Sequence, residues 1–182
     1  MRYSTPIALF IVLLAPIAPW AQESAPIPAA TDACLKGEVE TTPSSEFVVL
    51  EGGAVVRHER TGLEWQRCAL GQSWNAESNV CAGRPTSHTW TKAMQLAAKA
   101  QDGWRLPTGE ELLTIVEKCH DGPAINPQVF PNTPSALFWS SSIDTGGLER
   151  AWSVSFFSGQ SFRIGKSQNG RVRWVRGTLR QP

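Results

Sequence analysis

The run Gly103-Trp104-Arg105-Leu106-Pro107-Thr108-Gly109-Glu110-Glu111-Leu112 limits what this chain can fold into more than any other stretch. Pro107 disfavours helical geometry at Leu106, so no single helix crosses this point. Thr108 and Glu111 then have the spacing of a capping box, with the hydroxyl accepting from the amide three residues on and the carboxylate accepting from the cap amide. A helix therefore starts at Thr108, and Leu112, Ile115, Val116 and Cys119 are its expected buried stripe. Glu110 and Glu111 suit the positive end of the helix dipole. The cap accounts for Glu111 and solvent for Glu110, so the two are not read as a catalytic pair. Before the break, residues 89–101 place Trp90, Ala93, Met94, Ala97 and Ala100 on one face, with Thr89 as cap and Gly103 as exit. Trp104 is expected in the core, and Arg105 is expected to hold loop carbonyls or a carboxylate.

The remaining elements read as strands. Residues 47–50 are a short apolar run, and 54–58 with 63–67 form a hairpin turning at Gly62. Residues 68–88 lack a period and are expected to form an irregular loop around Trp74. A proline- and asparagine-rich loop follows the second helix. Strand patterns then occupy 138–141, 151–156, 160–164 and 171–176. Strands, two helices and more strands predict an α+β domain over residues 47–177, between tails at 22–46 and 178–182.

Residues 1–21 have the positive start and apolar run of a secretory leader, with cleavage expected after Ala21. The apolar run is too short to span a bilayer, and no later stretch is apolar enough. Export to periplasm, cell surface or medium follows, and with it an oxidising environment. Cys34, Cys68, Cys81 and Cys119 then predict two disulfides in one of three pairings. Cys68 and Cys81 share one loop-like stretch, which favours joining them and leaves Cys34 for Cys119. A zinc site is not favoured, because no C-x-x-C occurs and His58, His88 and His120 are scattered.

The net charge of +1 hides an asymmetry. Arg150, Arg163, Lys166, Arg171, Arg173, Arg176 and Arg180 occur after position 149 with no carboxylate among them, whereas Glu and Asp dominate residues 22–60. Either the basic end attracts a polyanion or the two ends lie together and neutralise each other. Eight tryptophans against one tyrosine add a second choice, between a Trp-rich core and an exposed stacking platform.

Several segments in order resemble the Lcl C-terminal domain family: Thr61-Gly62-Leu63-Glu64-Trp65-Gln66-Arg67-Cys68, Cys81, Trp90, Gly103-Trp104-Arg105-Leu106-Pro107, Ile125-Asn126-Pro127, Phe130-Pro131, Phe138-Trp139-Ser140-Ser141-Ser142, Ala151-Trp152 and Val172-Arg173-Trp174-Val175-Arg176-Gly177. The family is similar to the wider C-type-lectin-like group, which includes formylglycine-generating-enzyme-like domains. The resemblance implies two helices packed on a twisted antiparallel sheet, with the chain ends meeting. The adhesin that names the family is associated with sulfated polysaccharides and carries a collagen-like stalk, which this chain lacks. An oligomer, a trimer included, is implied by the resemblance alone. The E-P-N, Q-P-D and W-N-D motifs of calcium-dependent lectins are missing, so calcium-mediated sugar binding is not implied. No cysteine follows Cys119, so the redox or copper chemistry of the oxidase-type relatives is not implied either.

Other motifs fall away on inspection. Gly159 and Gly165-Lys166-Ser167 miss the P-loop spacing and lie in a strand context. Ser140-Ser141-Ser142 cannot be tied to a histidine or acid. Nucleic-acid binding by the basic end conflicts with export. The expectation is a non-catalytic exported binding or adhesion module, without cofactor or metal, for an anionic polysaccharide or a surface protein. Arg163, Lys166, Arg171 and Arg173 are the expected contacts, with Trp74 as a stacking platform. A structural partner in an envelope assembly is the alternative, and an enzyme of hydrolase or oxidase-like type comes third.

Overall fold

The computed structural model describes residues 34, 35, 37–120 and 122–180. The expected leader, its cleavage site and the tail before Cys34 lie outside the described residues. In chain order the elements are β1 (Phe47–Leu50), β2 (Val55–His58), β3 (Glu64–Gln66), β4 (Ser73–Asn75), β5 (Val80–Ala82), α1 (Trp90–Ala97), α2 (Gly109–Leu113), β6 (Leu137–Ile143), β7 (Arg150–Ser155), β8 (Gln160–Gly165) and β9 (Val175–Arg176). They form three antiparallel sheets ordered β1-β2-β3-β9, β4-β5 and β6-β7-β8. The class is α+β, dominated by sheet. Among the described residues no helix is long and apolar enough to cross a membrane.

The β6-β7-β8 sheet separates two apolar clusters. Successive residues of a strand point to opposite faces, so Phe138 joins Trp65, Leu112, Ile115 and Phe156 in one cluster, while its neighbour Trp139 joins Ala93, Leu106 and Val172 in the other. α2 contributes to the first cluster and α1 to the second.

The capping box at Thr108 and Glu111 forms as the spacing predicts. The helix behind it is shorter than expected. Thr114 caps it, its hydroxyl bonding back to the Glu111 carbonyl. Ile115, Val116 and Cys119 are buried all the same, but through turns. α1 likewise ends at Ala97 rather than near Gln101, and Asp102 and Gly103 both adopt positive φ in the link that follows. Two more expectations are corrected. Residues 73–75 and 80–82 pair as a hairpin inside the cysteine-closed loop. Residues 171–176 are not one strand, because Arg171 exchanges backbone bonds with Leu137 and Trp139 while Val175 pairs with Trp65 and Arg105. That segment passes from one sheet to another and ties them together.

The disulfides are Cys68–Cys81 and Cys34–Cys119. The first closes the β4-β5 loop. The second fastens the start of the described chain to the end of the turns after α2.

Candidate binding surface

Among the described residues, three adjoining clefts lie along α2, the turns after it and β8. Arg105 holds α2 in place, donating to both carboxylate oxygens of Glu111 at 2.7 and 2.6 Å and to the Gly177 carbonyl at 2.9 Å. Burial raises the Glu111 carboxyl, but hydrogen bonds from Arg105 and Thr108 outweigh it and hold it below the usual carboxylate range. The expectation for Arg105 is met on both counts, a carboxylate and a carbonyl.

The Gly109 N–H at the start of α2 donates to the Ser142 hydroxyl on β6 at 3.0 Å. This leaves a cleft of about 400 Å³ lined by Thr108, Gly109, Glu110, Leu113, Ser142, Trp152 and Ser161. A second, of about 510 Å³, shares Leu113 and Ser161 and adds Val116, Lys118, Gly159 and Gln160. A third, of about 540 Å³, shares Lys118, Gly159 and Gln160 and adds Leu35, His120, Ala124, Phe157 and Ser158. The shared residues make the three clefts one groove running from Leu35 to Trp152. Of the seven exposed large apolar side chains among the described residues, Leu35, Leu113 and Phe157 line this groove and Phe162 stands on β8 beside it.

The expected contact residues do not converge. Arg163 lies at the groove, its guanidinium 5.5 Å from the Trp152 ring centre and 3.8 Å from Asp144. Lys166 sits over the Trp90 ring and donates to the Leu148 carbonyl. Arg171 donates to the Pro85 carbonyl. Arg173 is fully buried and cannot be a surface contact. It donates to the Gln66 and Arg67 carbonyls and to the Thr133 hydroxyl, above the Phe130 ring. Trp74 is half-buried and held against the domain. Its indole donates to the Gly52 carbonyl, the Arg67 guanidinium stacks 4.1 Å from its ring centre, and a Cβ on Gly53 would lie 2.7 Å from its nitrogen.

The charge asymmetry resolves in the same direction. Arg176 bridges Glu51 and Glu64 at 2.7 Å each, and Arg180 donates to the Glu59 carbonyl. Among the described residues the acid-rich segment before residue 60 and the basic C-terminal segment thus meet, with Arg176–Glu51 as the charge pair between them.

The groups with displaced proton affinities belong to the scaffold. Burial raises the Glu117 carboxyl, but the amides of Thr41, Cys119 and Thr42 outweigh it and lower its pKa. Burial lowers His58 despite its bond to Glu46. Burial also lowers Arg67 to about 10, and burial with the neighbouring Arg67 charge lowers Arg173 to about 9. None of these groups lines the three clefts.

Sequence reasoning missed Leu113, Ser142, Ser161 and Phe162. Leu113 carried the one available signal, as an apolar residue off the buried stripe of its helix. The sequence profile of the Lcl C-terminal domain matches residues 54–176, from the start of β2 through β9. No curated protein matches the chain.

Proposed function

We propose that this chain, which belongs to the Lcl C-terminal domain family, is an exported, non-catalytic binding or adhesion module whose ligand is a surface protein. The observation that carries this reading is the pairing of two facts. Arg171, Arg173 and Arg176 of the C-terminal third are engaged inside the domain, while four of the seven exposed large apolar side chains among the described residues lie in or beside one groove. Exposed apolar patches rimmed by polar groups mark interaction sites. The displaced titratable groups lie away from the groove, which favours binding over catalysis. Two disulfides support export. Two short helices on antiparallel sheets support a C-type-lectin-like fold.

An anionic polysaccharide is the second reading. Arg163 over Trp152 favours it, since together they offer a charge and a stacking face within one cleft.

A photo-crosslinking residue at Leu113, with Gln95 on the exposed face of α1 as control, tests the first reading in the producing cell. A protein adduct at 113 and not at 95 is expected. No adduct at 113, with retention on a sulfated-polysaccharide column that falls as salt rises, would transfer the function to the second reading.

A further inference from the structure

We infer that β8 receives an extended segment of the partner protein as an added strand, with alternate side chains of that segment entering the groove beside α2. This rests on the protein-ligand reading above and specifies how the ligand is held. β8 is the outer strand of the β6-β7-β8 sheet. At the end of its ladder the Lys166 N–H donates to the Glu149 carbonyl, and Ala151, Ser153 and Ser155 lie opposite Ile164, Phe162 and Gln160. Bonded and non-bonded pairs alternate along an antiparallel ladder. Gln160, Phe162 and Ile164 therefore direct their backbone groups to β7, and Ser161 and Arg163 direct theirs outward. No described element pairs with that side. The opposite margin of the sheet is closed, because Leu137 and Trp139 of β6 bond to Arg171. The free stretch of β8 contains no proline, and Arg163 is its only charge. Natural edge strands that must stay single are normally blunted more heavily.

The flanking side chains define the partner. An added strand presents side chains alternately to two faces. One face would meet Leu113, Val116 and Trp152 in the groove, and the other Phe162, which is 41% exposed. Such a segment is extended and rich in β-branched or aromatic residues. Lys118 and Arg163 stand along its path, both exposed, so it also carries Asp or Glu.

The probe is a library of displayed random peptides selected on the folded domain, with the selected sequences then made synthetically. Peptides of alternating apolar pattern with at least one acid are expected, and failure to select any overturns the proposal. On adding such a peptide, amide hydrogen exchange at Ser161 and Arg163 should slow, whereas Phe162, paired with Ser153 of β7, should be slow already in the free domain. Binding without slowing at Ser161 and Arg163 overturns strand addition. Ser161→Pro removes an outward N–H and spares the ladder to β7, so it should weaken binding by about tenfold or more, and Ser161→Ala, which keeps that N–H, should weaken it less. If Ser161→Pro binds normally while Leu113→Glu does not, strand addition fails and the protein-binding groove stands. If both bind normally, the groove reading fails as well. The exchange measurement keeps the test decisive even where Ser161→Pro does not fold.

Discussion

Glu117 holds Thr41 across 76 residues of sequence. Its buried carboxylate accepts from the Thr41 amide at 2.9 Å and from the Thr41 hydroxyl at 3.0 Å. The same group accepts from the Thr42 amide at 2.7 Å, the Thr42 hydroxyl at 3.0 Å and the Cys119 amide at 3.1 Å. One ionised side chain thus fixes the segment before β1 against the turns after α2, next to the Cys34–Cys119 bridge.

That arrangement sets an acid dependence. The folded pKa values of Glu117 and Glu111 are depressed, so each contributes stability above the ordinary carboxyl value of 4.5. The contribution falls away as pH drops below that value and through the folded values, because the unfolded chain then binds more protons. Denaturant unfolding across acid pH should show this decline. Glu117→Gln should be less stable at neutral pH by about 1–3 kcal/mol, from donors left without an acceptor, with a shallower acid slope.

Arg173 should matter to stability and not to surface charge. Truncation to Met leaves the Gln66 and Arg67 carbonyls without this donor, at about 1–3 kcal/mol for each group left unsatisfied. Arg163→Ala, on an exposed strand, should change stability by less than about 0.5 kcal/mol. Urea denaturation of the two variants separates these roles. Equal effects would contradict the burial of Arg173.

The Cys34–Cys119 bridge joins residues 85 apart. In the chain-entropy account such a loop contributes up to about 4–5 kcal/mol, and the Cys68–Cys81 loop of 13 about 3. The double variant Cys34→Ser/Cys119→Ser should therefore melt well below Cys68→Ser/Cys81→Ser. Mass mapping of non-reduced peptides checks the pairing itself, and a Cys34–Cys68 peptide would contradict it.

These residues also mark what the sequence could tell. The capping box at Thr108 was legible because both partners lie within one turn and each spacing has a single physical meaning. The strands at 47–50, 55–58 and 150–165 were legible from local apolar pattern and turn glycines. Arg173 was not, because its partners Gln66 and Arg67 lie more than 100 residues away. Burial of a guanidinium by carbonyls of irregular loops leaves no local signal. The early end of α2 escaped for a similar reason: Glu117, read as a residue of that helix, is engaged by Thr41 and Thr42. The candidate groove lies between a helix and a strand far apart in sequence, and only Leu113, an apolar residue off the buried stripe of its helix, pointed to it.

The central claim is that ligand is held by the groove between α2 and β8 and not by Lys166 and Arg171, the basic residues away from it. Titration calorimetry of a library-selected peptide against two variants tests it most directly. Leu113→Glu is predicted to weaken binding by about tenfold or more, and Lys166→Ala/Arg171→Ala to leave it within about threefold of the wild type. Loss of binding in Lys166→Ala/Arg171→Ala, with Leu113→Glu unaffected, would contradict the account.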